Sequence, residues 1–199
     1  LMSGIQQSML MYGAAGAYQV ANSLRFRSSA SAYLSRTPAS AGNRLKWTFS
    51  TWLKLGSLST LQTLFMGYDG LPWSRIGYDG SNSRFFVQQD NSNIYAAYGP
   101  QAYRDPSAWY HLVCVYDSAQ STASNRLLMY VNGVQQSLSS GSFPALNGTS
   151  AINSTSRHSI GVYYDGSTST NYFDGYLAEI NFIDGQALTP SSFGETDSI

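Results

Sequence analysis

The chain contains few of the residues that build disulfides, metal sites or charged binding faces. Its 199 residues include one cysteine, two histidines and eleven acidic residues. A single cysteine excludes an internal disulfide. Lysine plus arginine balance the acids at 11 each, and charged residues make up only 11% of the chain. This composition excludes a basic face for nucleic-acid phosphates and a polybasic patch for membrane surfaces.

Long apolar runs are also missing. No stretch reaches the roughly 18–20 apolar residues that span a bilayer, so membrane insertion is not expected. The single Cys114 lies inside the apolar run Leu112–Tyr116, where a buried thiol packs as a small hydrophobe. His111 is three positions earlier and falls on the opposite face of an extended strand. A catalytic cysteine–histidine pair is therefore not predicted.

Tyrosine, glycine and small polar residues dominate instead. The chain has 15 tyrosines and 18 glycines among many serines and asparagines, a composition typical of adaptable recognition surfaces. Asp-Gly and Asn-Gly pairs are strong turn signals because these residues tolerate positive φ. Five of the nine aspartates directly precede glycine: Asp69, Asp79, Asp165, Asp174 and Asp184. Most of the acid in this chain is therefore expected to form turns.

Short segments after residue 22 alternate apolar and polar residues, which is typical of β-strands. Leu45–Leu55 is the clearest near the N-terminus, although Trp52 falls out of phase and indicates a bulge or burial on both faces. Trp109–Asp117 has the apolar density of a strand at the centre of a sheet. The other predicted strands are Gln62–Tyr68, Trp73–Tyr78, Arg84–Gln89, Ile94–Tyr98, Ser159–Tyr164 and Tyr176–Ile183.

Two strand pairs are predicted from turn positions. Ser23–Arg27 and Ala32–Arg36 are expected to form a hairpin with Phe26, Tyr33 and Leu24 facing inward. About a dozen short strands separated by turns favour a β-sandwich or barrel.

The two strands of the second pair are joined by an Asn-Gly turn. Arg126–Val131 is expected to pair with Val134–Ser137 across Asn132-Gly133. A single helical turn is predicted at Thr189–Phe193, with Thr189 as its N-cap and proline next.

The first 22 residues differ from the rest of the chain because they carry no charge and are rich in Ala, Gly and Met. We expect residues 1–22 to form an extended or partly helical arm and residues 23–199 to form one domain. An apolar segment without a core of its own is explained by assembly onto a neighbouring subunit. The arm residues expected to pack there are Met9, Leu10, Met11, Tyr12 and Tyr18.

Five motifs taken in order resemble a known family. They are Ser-Leu-Arg-Phe (23–26), Trp-Thr-Phe-Ser-Thr-Trp-Leu-Lys (47–54), Trp-Tyr-His-Leu-Val-Cys-Val-Tyr-Asp (109–117), Leu-Met-Tyr-Val-Asn-Gly (128–133) and Phe-Asp-Gly-Tyr-Leu-Ala-Glu-Ile (173–180). The series is similar to the laminin-G-like, concanavalin-A-like jelly roll over about 23–195. The resemblance implies an all-β fold, a two-sheet antiparallel jelly-roll sandwich. It also implies that Trp109, Leu112, Val113, Tyr130 and Val131 are scaffold.

The ending Phe-Ile-Asp-Gly-Gln-Ala-Leu-Thr-Pro-Ser-Ser-Phe-Gly-Glu (182–195) is similar to a version of this domain found in tailed bacteriophages, especially aquatic ones. This resemblance implies a non-enzymatic structural protein on the virion surface. The arm would bind other capsid or tail proteins, in a homo-oligomer or a lattice. Capsid decoration is slightly favoured over a tail fibre, because no shaft-like repeat occurs within these residues. The alternative is a lectin-like adhesion module that contacts host-surface glycans.

Aromatic rings beside Asp-Gly turns are the candidate ligand site. Rings stack on the apolar faces of sugars, and flanking acids and amides bond to hydroxyls. The candidates are Tyr68, Asp69, Trp73, Tyr78, Asp79, Tyr163, Tyr164 and Asp165. Alternation leaves open that some of these rings, Trp73 among them, fill the interior instead.

Metal and hydrolytic chemistry are weaker alternatives. Many laminin-G-like domains hold Ca²⁺, and the resemblance therefore implies a Ca²⁺ site at the rim of the sandwich as one alternative. Because Ca²⁺ needs six to eight oxygen ligands, we favour the interpretation that these aspartates only form turns. Glycoside hydrolysis needs two carboxylates a set distance apart, and the two glutamates, Glu179 and Glu195, are far apart in the sequence. No catalytic residue or cofactor is predicted, and a glycoside hydrolase stays a remote alternative. The Ca²⁺ candidates are Asp69, Asp79, Asp165 and Asp174.

Overall fold

The computed structural model describes residues 22–70, 72–90, 95–140 and 142–194. The predicted arm lies outside the described residues except for Asn22, and so do its five candidate packing residues. The strands are β1 (Leu24–Phe26), β2 (Leu34–Arg36), β3 (Lys46–Leu55), β4 (Leu61–Tyr68), β5 (Trp73–Asp79), β6 (Arg84–Asp90), β7 (Tyr95–Tyr98), β8 (Tyr110–Asp117), β9 (Leu127–Val131), β10 (Val134–Gln135), β11 (Ser139–Ser140), β12 (His158–Ile160), β13 (Tyr163–Tyr164), β14 (Ser169–Thr170) and β15 (Gly175–Asp184). Short 3₁₀ turns occupy Ser28–Ala30, Ala123–Asn125 and Pro190–Ser192.

These strands form two main antiparallel sheets. The six-stranded sheet has the order β1-β15-β3-β8-β9-β10, and the seven-stranded sheet has the order β11-β7-β6-β5-β4-β12-β2. The hairpin β13–β14 stands apart as a small third sheet. The predicted all-β jelly-roll sandwich is confirmed. In the described part of the chain, no helix is long and apolar enough to cross a membrane.

The interior lies between the inner faces of the two sheets. Phe49 of β3 stacks on Phe65 of β4, with 5.0 Å between ring centroids and 2° between ring planes. Trp47 stacks on Tyr116 at 5.3 Å beside this pair. Such ring pairs contribute roughly 0.5–1.5 kcal/mol each beyond the area they bury. Cys114 is also fully buried in this layer, and burial raises the pKa of its thiol.

Several sequence predictions of strands are confirmed. Every residue of β8 is buried, and β8 lies between β3 and β9, as expected of a central strand. Val134 pairs with Val131 across the Asn132-Gly133 turn, where both turn residues have positive φ. The predicted turn after β15 is also present at Pro190–Ser192.

The predicted hairpin at residues 23–36 is wrong. β1 pairs with β15, and β2 pairs with β12 in the other sheet. The 3₁₀ turn and a left-handed Ser31 carry the chain from one sheet to the other instead of folding it back. Phe26 faces the core as predicted, but Tyr33 and Leu24 are 41% and 50% exposed.

Two further corrections concern strand continuity. The predicted strand Ser159–Tyr164 is broken at Gly161, which has a φ of 83°. Of the two alternatives predicted at Trp52, burial on both faces matches β3, in which residues on both faces are buried. The bulge lies instead in the neighbouring strand β15, where the register shifts between Ala178 and Asn181. Glu179 takes up the extra residue with a φ of 51°, a β-bulge that restores the inward phase of the residues after it.

Gly67 in β4 gives a test of this packing. A Cβ there would lie 2.7 Å from the Ala151 carbonyl oxygen and 2.8 Å from the Ile152 Cα, whereas at Gly99 the nearest atoms are 3.7 Å away. Backbone atoms cannot rotate aside, so Gly67→Ala should lower the free energy of unfolding by about 1–3 kcal/mol. Gly99→Ala should change it by less than about 0.5 kcal/mol. Urea denaturation measures both, and equal midpoints would contradict this packing.

Candidate functional site

Four of the five candidate rings meet on the outer face of the seven-stranded sheet. Tyr68 and Trp73 are cross-strand partners on β4 and β5. Tyr164 meets Tyr68 edge-to-face at 5.4 Å, and Tyr163 meets Trp73 in the same way at 5.5 Å. The hairpin β13–β14 therefore lies over this sheet, which the sequence pattern did not show.

Arg75 lies at the centre of this group. Its guanidinium carbon is 5.2 Å from the Trp73 ring centroid, 5.1 Å from Phe86 and 5.0 Å from Tyr163. It also donates two hydrogen bonds to the Gln88 side-chain oxygen. Burial lowers the pKa of Arg75. We call Tyr68, Trp73, Arg75, Tyr163 and Tyr164 the ring–arginine cluster.

Arginines of the same chain lie over three rings of this cluster, Trp73, Tyr163 and Tyr164. Trp73 is only 9% exposed. Arg157 lies 4.1 Å from the Tyr164 ring centroid and 5.2 Å from Tyr33. Cation–π pairs of this kind stabilise a surface. Because the faces are occupied from within, this cluster presents little free ring area to a sugar.

Tyr78 is a correction to the predicted rim. It follows Trp73 by an odd number of positions, so it faces the interior, where it is fully buried and donates its hydroxyl to the Tyr103 carbonyl at 2.8 Å. Asp79 lies at the opposite end of β5 from Trp73, where it accepts hydrogen bonds from Asn82 and pairs with Arg84. Neither residue joins the cluster.

The candidate Ca²⁺ ligands are engaged separately. Asp69 pairs with Arg44 at 2.9 Å, and Asp174 pairs with Arg25 at 2.6 Å. Asp165 accepts hydrogen bonds from Ser167 and Thr168 within its own turn, and these bonds lower its pKa. Within the described ranges, no three or more His, Cys, Asp or Glu side chains gather to hold a metal. The prediction that Asp-Gly acids serve turns matches Asp79 and Asp165, whose carboxylates accept hydrogen bonds from their own turns, whereas Asp69 and Asp174 pair with distant arginines.

A groove that the sequence analysis did not predict lies on the outer face of the six-stranded sheet. It encloses about 540 Å³ and is lined by Trp52, Trp109, His111, Tyr130, Asn132, Gly133, Thr189, Pro190, Ser191 and Gly194. We call it the sheet groove. Its size falls in the range of roughly 300–1,000 Å³ typical of small-ligand sites.

The strand register sets the floor of the sheet groove. Trp52 on β3 faces His111 on β8, and the two rings stack at 4.8 Å. The His111 ring is held by a hydrogen bond between its Nε2 and the Ser50 hydroxyl at 2.9 Å. Trp109, just before β8, is 37% exposed, so a large ring surface faces solvent.

Asn132 supplies the polar end of this groove. Its side-chain oxygen accepts a hydrogen bond from the His111 backbone N–H at 2.8 Å, which orients the amide. Across the described ranges, its side-chain nitrogen donates no hydrogen bond to the protein. That N–H₂ group is available to a ligand at the edge of the aromatic floor.

The segment after β15 forms the other wall. The Thr48 hydroxyl donates to the Gln186 carbonyl at 2.7 Å and accepts from the Leu188 N–H at 2.9 Å. These bonds hold the chain against the sheet before the turn at Pro190–Ser192. Phe193 then meets the edge of His111 at 6.4 Å. A ligand would therefore lie between fixed walls.

One signal in the sequence points to this groove. Trp52 breaks the inward alternation of β3, and His111 stands out of the apolar phase of β8 by the same rule. Two large rings on the face predicted to be polar indicate a covered or functional outer surface. The family resemblance implies only a scaffold role for Trp109 and Tyr130, and the structure places both residues in the lining of the groove.

Both histidines have pKa values below the ordinary value for this side chain. His111 and His158 are 6% and 9% exposed. Burial lowers the pKa of His111. For His158, burial is the largest cause of a lowered pKa, and neighbouring Arg36 and Arg44 add to it against the opposing effects of the Ser156 carbonyl and Asp69.

Comparison with known proteins places the fold in a family. The chain matches the concanavalin A-like lectin/glucanases superfamily over residues 27–192. It belongs to that superfamily. A comparison with proteins of curated function finds no match.

Three solved structures with this fold are similar. Domain 4 of AbnA, a GH43 extracellular arabinanase from Geobacillus stearothermophilus solved with arabinotriose, has a TM-score of 0.55 and 23% identity over 75% of this chain and 65% of that one. The CBM40 of the Ruminococcus gnavus IT-sialidase bound to α2,6 sialyllactose has a TM-score of 0.54 and 13% identity, over 80% of this chain and 95% of that one. Mouse laminin α1 domains LG4–5 have a TM-score of 0.58 and 10% identity, over 88% of this chain and 47% of that one. At these identities the likeness shows the fold alone.

The histidines predict a loss of stability in acid. A lowered pKa in the folded state means that the unfolded chain binds more protons below its own pKa of about 6.5. The free energy of unfolding should therefore fall between about pH 7.5 and about pH 5.5. Urea denaturation at both pH values should show a smaller fall in His111→Gln and in His158→Gln than in wild type. An equal fall in all three proteins would contradict this.

Proposed function

We propose that this domain is a non-enzymatic carbohydrate-binding module that binds glycans in the sheet groove. The observation that carries the proposal is the aromatic floor formed by Trp52, Trp109 and Tyr130, of which Trp109 is exposed and the other two are half-buried. Sugar rings have apolar C–H faces that stack on such rings, and they have hydroxyl groups around their edges. A floor of rings with polar walls matches that chemistry.

The polar groups of the groove suit sugar hydroxyls. The Asn132 side-chain nitrogen is a donor, and the Thr189 and Ser191 hydroxyls, which bond to each other at 2.9 Å, both donate and accept. None of these groups is charged. The groove therefore favours neutral hydroxyl-rich ligands over strongly ionic ones.

The related structures support glycans as the ligand class. The arabinanase domain was solved with arabinotriose, and the sialidase CBM40 was solved with a sialylated sugar. Those ligands belong to those proteins. The superfamily membership and this groove together support glycan binding by this chain without naming the sugar.

Binding without hydrolysis is part of the proposal. Glu179 sits exposed at the β15 bulge and does not line the sheet groove. Glu195 lies outside the described residues. Glycoside hydrolysis needs an acid and a second carboxylate on either side of the bond, and none of the described residues that line the groove carries a carboxylate.

Display on a phage particle is a second proposal, supported by the phage-like ending at residues 182–195. Within the described residues, part of that ending is also the wall of the sheet groove. A glycan-binding face on a virion would serve attachment to a host surface. Immunogold labelling of purified particles, with an antibody to residues 23–199, is expected to label the heads if the domain decorates the capsid. Label on tails would make it an attachment protein, and unlabelled particles would remove the virion proposal.

Glycan binding is tested by a glycan array, followed by calorimetry with the strongest ligand found. Trp109→Ala should weaken that binding about ten-fold, because it removes a stacking ring. The variant should still fold, since Trp109 lies at the surface and is 37% exposed.

The matched control is a ring in the other candidate area. Tyr164→Ala in the ring–arginine cluster should leave the affinity unchanged. Loss of binding in Tyr164→Ala alone would move the site to that cluster. An array with no ligand would remove the carbohydrate proposal.

A further inference from the structure

A second cavity opens at the edge of the sandwich, away from the sheet groove. β1 covers β15 only at Gly175–Leu177. Among the described residues, no strand forms hydrogen bonds with the free edge of β15 after Leu177. β2 borders the facing sheet at the same edge, and about 470 Å³ of space lies between the two. We call this space the edge cleft.

The floor of the edge cleft is apolar. Phe49, Phe65, Phe182, Ile160 and Ile180 line it. Phe65 stacks on Phe49 and meets Phe182 at 5.6 Å. These side chains belong to the core or pack directly against it, so the cleft reaches the interior between the sheets.

The β15 bulge shapes this floor. Leu177, which pairs with Leu24 of β1, is fully buried. The extra residue at Glu179 changes the phase of the strand, so that Ile180 and Phe182 also face inward. These two side chains are only partly buried. Leu34 on β2 is 48% exposed at the mouth. Apolar surface is therefore left open on both sides of the cleft.

Most polar groups at the mouth are already paired. The Asp184 carboxylate accepts hydrogen bonds from the Asn43 N–H at 2.7 Å and the Asn153 side-chain nitrogen at 2.6 Å. His158 accepts from the Asn153 N–H through Nε2 and bonds the Ser156 carbonyl through Nδ1. These bonds engage both side chains within the protein.

Arg36 is the exception at the mouth. It lies beside His158 in the β2–β12 register and lines the cleft. Among the described residues, no carboxylate forms an ion pair with its guanidinium. The other charged side chain that lines the cleft is Asp184, whose carboxylate is held by the two N–H donors given above. An apolar floor with an unpaired cation at its mouth is complementary to an amphipathic anion that keeps its charged end at Arg36.

We propose that the edge cleft binds a monomeric medium-chain alkyl carboxylate. The alkyl chain lies on the Phe65 and Ile180 floor, and its carboxylate pairs with Arg36. This site is independent of the glycan groove, which lies on the outer face of the six-stranded sheet. The volume of the cleft fits the range of roughly 300–1,000 Å³ seen for small-ligand sites.

Dodecanoate, kept below its micelle concentration, is the probe. Calorimetry with the full chain should show saturable binding of one molecule. Arg36→Gln should weaken dodecanoate binding about ten-fold by removing a charge-assisted hydrogen bond. The same substitution should leave binding of uncharged dodecanol unchanged, which separates loss of charge from loss of the cleft.

Leu34→Asp tests the apolar mouth at a position exposed enough to preserve the fold. It should abolish dodecanoate binding while the unfolding midpoint stays near wild type. Ile183→Asp is the control, because Ile183 lies on β15 with the opposite side-chain phase to Phe182 and does not line the cleft. Absence of saturable binding would overturn the proposal, and so would wild-type affinity in both Arg36→Gln and Leu34→Asp.

Discussion

The contact between the two inner sheet faces is the interaction on which the rest of this structure depends. The stack of Phe49 on Phe65 joins the two sheets. Because strand side chains alternate, each ring placed inward fixes which neighbours point outward. The functional surfaces are thus set by the phase of the core, and a slip of one residue in β3 would bury Trp52 and expose Phe49.

The same constraint explains why the two aromatic surfaces differ. On the seven-stranded sheet, Arg75 and Arg157 cover the rings that alternation turns outward. On the six-stranded sheet, Trp52 is covered on one side by His111, and Trp109 is left partly open. Aromatic composition alone therefore does not locate a sugar site. What decides it is whether the ring faces are already occupied by the protein.

Local sequence predicted the elements whose partners are close in the chain. The alternation of β3, the apolar density of β8 and the Asn132-Gly133 turn each depend on neighbouring residues, and each was predicted correctly. The pairing of residues 23–36 was predicted wrongly, because the strands with which this segment pairs are distant in the sequence. β1 pairs with residues about 150 positions away, and nothing in Ser23–Arg36 specifies that choice.

The candidate site shows the same division. The turn chemistry of Asp165 follows from its own neighbours, and the structure has it so. The meeting of Tyr163 with Trp73 requires the β13–β14 hairpin to fold over a sheet formed almost one hundred residues earlier, which no local pattern encodes. The prediction that Tyr78 lies at the ligand-binding rim was wrong, because an Asp-Gly turn beside a ring indicates where the chain bends and not which face of the sheet the ring lies on.

The β15 bulge links local irregularity to function. A regular β15 would keep period two through Glu179, so Leu177 and Ile180 could not both face the core. The extra residue gives both an inward phase and leaves Glu179 with positive φ, a conformation that costs an ordinary residue of the order of 1–3 kcal/mol. The cost is offset where Ile180 and Phe182 pack against Phe65 and the core. That arrangement also creates the floor of the edge cleft, so the strain in the strand and the open apolar surface have one origin.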